Sequence, residues 1–561
     1  MKNQILFGLS KATGEKHIYL ETPEREGHGD YSTNIAMIIA KKEDLKPIKY
    51  AREVVAKLLK DNDLAKIVSK IEAVEPGFIN FFLSEKVLLS NLKAITSEKD
   101  RYGSSQEGKG ETVVVDYSSP NIAKRFGIGH LRSTIIGQSL CNLYGFLGYK
   151  VVGDNHLGDW GTQFGTLLYQ ITSKNLNAQE LSIDDLEELY VKFNKEADEN
   201  PELWDEARKW FRKLEEDESE ARKIWETIVK TSKSEFGRIY KILGVSFDHE
   251  HGESFYEDKM QEAIDEIRKK KLSKKSREAE IVEFEGIPPA ILLKSDGATT
   301  YFTRDLATIK YRLGEWSPGK IIYEVGSEQK LHFRQVFATA KLLGWIKGEE
   351  LVHIAHGLIR FKDGKMSTRK GQGIKLEEVL EESIKRGRKV INKSDTSRGL
   401  PKKEIEKVAN AVGIGAIKYF DLSHHYSSDI IFDWEKLFVL EGNSAPYLQY
   451  TIARTNSILQ KAKKDLVENN KEKQKLNNEE LLLVRTLARF PEVIIDATKN
   501  YSPNLICNYL FDLAQKYNNF YNQHRIIEGE NEGLRLELTE STGCVLKNGL
   551  TLLGIESPEK M

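Results

Sequence analysis

Cysteine is nearly absent: Cys141, Cys507 and Cys544 are the three in 561 residues, far apart and with no CxxC or HExxH nearby. Such spacing gives no support for a disulfide framework or structural zinc, so reduced, mostly buried thiols are expected. No run comes near the roughly 18 uninterrupted apolar residues of a membrane helix. The opening MKNQILFGLSKATGEKH lacks the apolar core and small-residue cleavage site of a signal peptide. A cytoplasmic protein with no membrane contact is therefore the expectation. An excess of one charge sign is missing too. The formal net charge is −1, so a polyanion would need local basic surface. Two runs are candidates: Lys269, Lys270, Lys271, Lys274, Lys275 and Arg277, then Lys385, Arg386, Arg388 and Lys389. For either run alone, a solvated charged face is the simpler reading.

What is present is a long chain, 40% hydrophobic and 30% charged, too large for one core and too apolar for disorder. About three or four domains are expected. Residues 1–100 read as a small α/β unit, with helical periodicity through Ile48, Ala51, Val54, Val55, Leu58 and Leu59 and a strand-like GFINFFLS. The segment GHGDYSTN reads as a turn-rich loop, and SEKDRYGSSQEGKGE as a linker. Within residues 110–420, strand and helix alternate: TVVVDYSS, then LRSTIIGQSLCNLYGFLG, then YKVVGDN, with KIIYEVG and LVHIAHG further on. Alternation of that kind builds a parallel sheet whose ligand site lies at the carboxyl edge of the strands. Residues 173–290 are charge-dense and largely helical, as an insertion would be. From 421 to 561 no strand pattern is visible, and YLQYTIARTNSIL, LLLVRTLARF and NYLFDLAQKYNNFYNQHRI predict a helical bundle. The fold class is α/β: a Rossmann-like parallel-sheet domain between a small N-terminal α/β domain and a C-terminal α-helical bundle.

The turn after the first strand, SSPNIAKRFGIGHLRST (118–134), places Gly127, Gly129 and His130 at a helix start. Backbone N–H groups there can approach phosphate, and the helix N-terminus favours its charge. Arg132 stands where a dinucleotide GxGxxG has its third glycine, and no GxxxxGK motif occurs, which excludes a NAD fingerprint and a P-loop. Alone, such a glycine pair is more often structural. Downstream, FKDGKMSTRKG (361–371) sets Lys365, Met366, Ser367, Arg369 and Lys370 between Gly364 and Gly371. A lysine-rich loop with glycine hinges can close over a triphosphate and neutralise developing charge.

Together, SPNIAK…GIGHLRST and KMSTRKG resemble the two signatures of class I aminoacyl-tRNA synthetases, in variants similar to those of the arginyl-tRNA synthetases. NHLGDWGTQFG (155–165), YFTRDLA (301–307), SEQKLHFRQVF (327–337) and the ending LLGIESPEKM are similar as well. The resemblance implies an arginine–tRNA ligase. ATP activates L-arginine to arginyl-adenylate, releasing diphosphate, and the arginyl group passes to tRNA(Arg). It assigns Asp116, Ser119, Asn121, His130, Tyr301, Asp305 and Gln329 to arginine, with His156 close by. Physical chemistry favours Asp305 for the guanidinium, because a carboxylate can accept two parallel hydrogen bonds from it. Gly127, Gly129, His130, His156, Lys365, Met366 and Ser367 fall to ATP, and His130, Lys124 and Lys365 to stabilising phosphate charge.

The resemblance also implies an N-terminal module reading the tRNA D-loop and a C-terminal bundle reading the anticodon, where Tyr447, Tyr450, Arg454 and Tyr521 are the candidates for stacking and polar contact. Tyr509 and Phe520 qualify by type, although aromatics at helical spacing usually face inward. Magnesium is expected to accompany ATP, no protein metal site is expected, and a monomer is the expected state. One departure stands out: Gly127 and Arg125 replace the histidine and proline usual in the first signature, which could slow activation or pass the phosphate role to Arg125. Two readings compete with the first. One is a class I synthetase for another amino acid; the other is a catalytically weak or silent tRNA-binding relative, for which Gly127 is the only support.

Overall fold

The structure, a computed structural model, describes residues 1–23, 26–361, 375–393, 401–462 and 476–561. It divides into two compact units. One comprises residues 1–102, 455–491 and 512–546; the other comprises 103–454, 492–511 and 547–561. This division runs differently from the three-way division read from the sequence.

The larger unit is organised by four parallel strands in the order Glu350–His356, Lys320–Gly326, Thr112–Asp116, Lys150–Asp154. Val113, Val114 and Val115 are fully buried, as expected of β-branched residues in a strand covered on both faces. Val114, Val152, Ile321 and Tyr323 pack against Ile264, Phe302, Leu306 and Phe333. The helix Gly129–Phe146 packs against the same strands. From the Thr112–Asp116 strand the chain moves outward to Lys150–Asp154, and from Lys320–Gly326 it moves outward the other way to Glu350–His356. The carboxyl ends of the two central strands, at Asp116 and Gly326, therefore flank the topological switch point, where a parallel sheet opens a crevice for ligands.

The stretch 173–290 is helical for most of its length, through Ile183–Glu199, Leu203–Glu215, Ser219–Leu243 and Met260–Lys269. Ser182 and Asp185 form a capping box on the first of these, which satisfies orphan amides at that end. The stretch does not end as helix. Ser273–Ser276 and Ala279–Val282 pair as an antiparallel ribbon and continue into Ala290–Leu293. Another short strand, Ile430–Phe432, pairs in parallel with Ile359–Phe361. At three residues its alternation is too brief to stand out in a helical background. Cys507 is buried, while Cys141 and Cys544 are partly exposed, and none is bonded to another.

In the smaller unit an antiparallel sheet, ordered Tyr31–Thr33, Phe78–Leu83, Val68–Val74, joins the helices Lys2–Thr13, Ile35–Lys42, Pro47–Leu58 and Glu85–Glu98. The same unit holds the helix Asn478–Ala488, whose Arg485 reaches Asp30 at 3.1 Å. Among the described residues no helix is long and apolar enough to cross a membrane.

Candidate active site

The turn leaving the Thr112–Asp116 strand is shaped by unusual backbone. Ser118, Ser119 and Ala123 all take left-handed φ, at 73°, 47° and 60°. Non-glycine residues adopt that region at a cost and cluster where function demands it. The Ser119 hydroxyl donates to Asp116 at 3.0 Å, and its amide donates to Asn155 at 3.1 Å. Asn121, which is exposed, bridges in parallel to Gly158. A Cβ at residue 158 would stand 2.2 Å from the Asn121 side-chain oxygen, so a larger residue there would displace that side chain.

Below this turn lies a buried ionic cluster absent from the sequence reading. Arg312, fully buried, places Nη1 2.8 Å from Asp116 and Nη2 3.0 Å from Asp154. Burial pushes the Asp154 carboxyl up, but Arg312 and His251 more than offset that and hold it far below the usual carboxylate range. Asp116, expected to face arginine, is thus engaged by the chain's own guanidinium.

Asp305 sits one turn into the helix Tyr301–Trp316 and is only a fifth exposed. His332 Nε2 lies 2.5 Å from one of its oxygens, and His156 Nε2 is 4.0 Å from the other. Burial alone would raise the Asp305 pKa; the bond and charge of His332 override it and leave it lowered. His332 moves the opposite way: burial pulls it down, and Asp305 brings it above the ordinary histidine value. Neighbouring Arg304 holds Glu253 at 3.3 Å and Glu257 at 3.0 Å. Glu253 is pushed up to about 8, first by burial and then by the charges of Asp305, Asp159 and Glu257, against the pull of Arg304. His156 is thus placed on the Asp305 side and joined through Nδ1 to the His251 carbonyl at 3.1 Å. Tyr301 opens the helix and is 66% exposed, while Gln329 is exposed on the turn before the helix carrying His332.

On the other side of the switch point, the Gly127 amide donates to His130 Nδ1 at 3.2 Å, which assigns the ring proton to Nε2. Burial lowers the His130 pKa, and the charges of Lys124 and His356 act in the same direction. His356 accepts no such neutrality: burial pulls it down, but Glu324, fully buried and 2.9 Å away, raises it. Arg132, at the position of the missing third glycine, is 1% exposed and donates to the Gly357 and Ser428 carbonyls at 2.9 and 2.7 Å. It ties the end of the Glu350–His356 strand to the segment before Ile430. Arg125 does not point to a phosphate role, since it pairs with Asp184 and with Glu187 at 3.1 Å. Lys124 lies 5.1 Å from the centre of the Tyr190 ring. Gly129 is exposed at the helix start. Lys365, Met366 and Ser367, with Arg369 and Lys370, lie outside the described residues.

Of the tRNA candidates, Tyr447, Tyr450 and Arg454 belong to the larger unit and Tyr521 to the smaller. Arg454 covers the Tyr450 ring at 4.9 Å, and Tyr521 is 38% exposed. Tyr509 and Phe520 are buried, as aromatics at helical spacing usually are. The residues missed by sequence reasoning are His332, Arg304, Arg312, Glu253 and Glu257. For one of them a signal existed: Arg312 follows Asp305 by seven residues, on one helix face.

Three family profiles match in order. "Arginyl tRNA synthetase N terminal domain" covers residues 1–83, "tRNA synthetases class I (R), catalytic domain" covers 91–434, and "DALR anticodon binding domain" covers 448–561. The chain is 42% identical over 556 residues to an arginine–tRNA ligase of Fusobacterium nucleatum, covering 97% of this chain and 96% of that one. It is likewise 42% identical over 554 residues to one from Clostridium kluyveri, covering 97% and 96%. Its fold superposes on the arginyl-tRNA synthetase of Plasmodium falciparum with a TM-score of 0.85 at 27% identity, covering 100% and 98% of the two chains. The Thermus thermophilus enzyme gives the same TM-score at 22% identity, with both chains covered completely. Identity at that level along nearly the whole length places this chain in the arginine–tRNA ligase family.

Proposed function

We propose that the chain attaches L-arginine to tRNA(Arg) at the expense of ATP. The observation that carries the reading is the charged cluster around Asp305: its carboxylate lies 2.5 Å from His332 Nε2 and 4.0 Å from His156 Nε2, beside Arg304, which holds Glu253 and Glu257. A substrate guanidinium adds positive charge to this acidic cluster and can meet Asp305 through two parallel hydrogen bonds. Tyr301, exposed beside Asp305, supplies an aromatic face, and Gln329 a polar rim. Ser119, Asn121 and His156 line the approach, while Asp116 acts at one remove by fixing Arg312 and Ser119.

The arginine carboxylate attacks the α-phosphorus of ATP; the bond to the bridging oxygen breaks, and diphosphate leaves. A terminal ribose hydroxyl of tRNA then attacks the arginyl carbonyl, and AMP leaves. Little covalent work falls to the protein, so catalysis is positioning and charge stabilisation. His130, donating from Nε2 beside the Gly127 and Gly129 backbone, holds phosphate oxygens from the sheet side, with Lys124 adding positive charge nearby. By the family resemblance, Lys365, Met366 and Ser367 close from the other side. Magnesium would enter as the ATP complex, since phosphates commonly carry it. The N-terminal and C-terminal segments would engage the D-loop and anticodon, with Tyr447, Tyr450, Arg454 and Tyr521 as contacts. The protein would work in the cytoplasm as a monomer.

Charging of tRNA with radiolabelled arginine, lysine and glutamine in parallel tests this. Charging is expected with arginine alone. Absence of diphosphate release with arginine, ATP and cognate tRNA would leave the silent tRNA-binding reading, and charging with lysine or glutamine would indicate a different synthetase.

A further inference from the structure

The basic run near residue 270 is unused by the chemistry described so far. Between Arg268 and Glu278 stand seven cationic residues and one acidic one, in a chain whose net charge is −1. The run is not one helix face. It spans the end of the helix Met260–Lys269 and the edge strand Ser273–Ser276 of the three-stranded ribbon. Some of its charge is spent internally: Arg268 pairs with Glu280 at 2.6 Å, Lys274 with Glu283 at 2.6 Å, and Lys270 donates to the Leu343 carbonyl at 2.5 Å. Lys269, Lys271 and Arg277 are exposed and have no ion pair among the described residues. Lys275 is exposed across from Glu280, which Arg268 already holds.

Backbone geometry gives a second, independent observation. Ser276 pairs with Ala279, so Arg277 and Glu278 form a two-residue hairpin loop, with φ of 46° and 67°. Positive φ at both central positions is the type I′ turn, which strongly prefers Asn-Gly or Asp-Gly. Lys271, just past the helix, also has a left-handed φ, 58°, at a position where glycine is the stable choice. The fold alone would favour glycine or asparagine at these places, yet two of the three carry cations pointing into solvent.

The ribbon also leads directly to the substrate pocket. Its third strand, Ala290–Leu293, accepts a hydrogen bond at the Ile291 carbonyl from Thr300, 2.7 Å away, and the helix bearing Tyr301 and Asp305 begins there. We propose that the outer face of this ribbon, through Lys269, Lys271, Lys275 and Arg277, binds the phosphate backbone of the tRNA acceptor arm; this rests on the tRNA-charging reading above. Four exposed cations, three of them without an ion pair among the described residues, match a polyanion, and their tie to the pocket selects the end of the RNA that must enter it.

The test uses the full-length protein with K269Q/K271Q/K275Q/R277Q, a tRNA(Arg) transcript and an acceptor minihelix. The quadruple variant should raise the KM for tRNA roughly tenfold or more at 0.15 M salt and flatten the salt dependence of tRNA affinity by about 3 logarithmic units per decade. KM for ATP and arginine at saturating tRNA should stay within about twofold. A second variant, R277N, removes one of the four cations, leaves Glu278 in place and puts a residue preferred at that turn position there. It should unfold at a higher temperature than wild type and still bind tRNA and minihelix more weakly. Unchanged affinity in either variant overturns the proposal. A wild-type protein that fails to charge tRNA overturns the reading beneath it instead.

Discussion

Asp305 accepts from His332 at 2.5 Å, so an incoming guanidinium has to share that carboxylate or displace the imidazole. Removing it leaves a buried cation without its partner, at a cost of about 2–5 kcal/mol. Asp305→Asn should therefore raise the KM for arginine at least about thirtyfold with the KM for ATP nearly unchanged, as steady-state charging assays will show. Glu253 gives a second prediction, through protons. Its pKa of about 8 in the free protein falls when a guanidinium binds alongside, because the charged form is then favoured. Between the lower bound-state value and about 8, binding releases a proton, so arginine affinity should climb as pH rises toward 8 and level off above it. Calorimetry in two buffers of different ionisation enthalpy should detect that proton in wild type and miss it in Glu253→Gln; equal heats in wild type would refute the coupling.

Two elements hold the signature turn and the strand ends beside it through different residues, and their failures should look different. Arg312, on the helix Tyr301–Trp316, holds Asp116 and Asp154 at the ends of adjacent strands. Arg312→Met strands two carboxylates in the interior and should destabilise the protein by about 3–5 kcal/mol in denaturant unfolding at pH 7. The sign follows from Asp154, whose folded pKa is depressed. Its stabilising contribution is complete above the unfolded carboxyl value of about 4 and is lost only as pH falls below it, so the deficit of the variant should persist at pH 5 and shrink below about pH 4. Asp184, on the helix Ile183–Glu199, contacts Arg125 in the signature turn and Lys375, 3.6 Å away, just beyond residues 362–374. It is half exposed, and such pairs contribute less than about 1 kcal/mol. Asp184→Ala should leave the melting temperature almost unmoved and raise the KM for ATP a few-fold through a looser turn. These elements also show what the sequence could reveal. The βαβ pattern around Val113, Val114 and Val115 was legible because burial on both faces writes a continuous apolar run, and YFTRDLA marked the helix that carries Asp305. The ribbon at 273–282 was not, since lysine-rich strands lack apolar alternation, and the partner of Arg125 lies some 60 positions away where no local rule reaches.

At the scale of the whole molecule, candidate RNA contacts occur in both compact units while the residues proposed to bind arginine belong to one, so the question is whether separate binding events share free energy. By family resemblance, arginine activation should require bound tRNA, and ATP–pyrophosphate exchange at full rate without tRNA would contradict it. Thermodynamics makes the expectation quantitative. If tRNA tightens arginine by some factor, arginine must tighten tRNA by the same factor, and a hundredfold effect corresponds to about 2.7 kcal/mol of coupling. That reciprocity holds for binding constants and not for kcat, so it has to be read at equilibrium. Titrations of labelled tRNA(Arg), with and without arginine plus a non-hydrolysable ATP analogue, should match arginine titrations with and without tRNA. Strong tRNA dependence of exchange with no change in either Kd would mean that RNA acts on the chemical step alone, by completing the geometry around the phosphates, and would exclude coupling through the pocket.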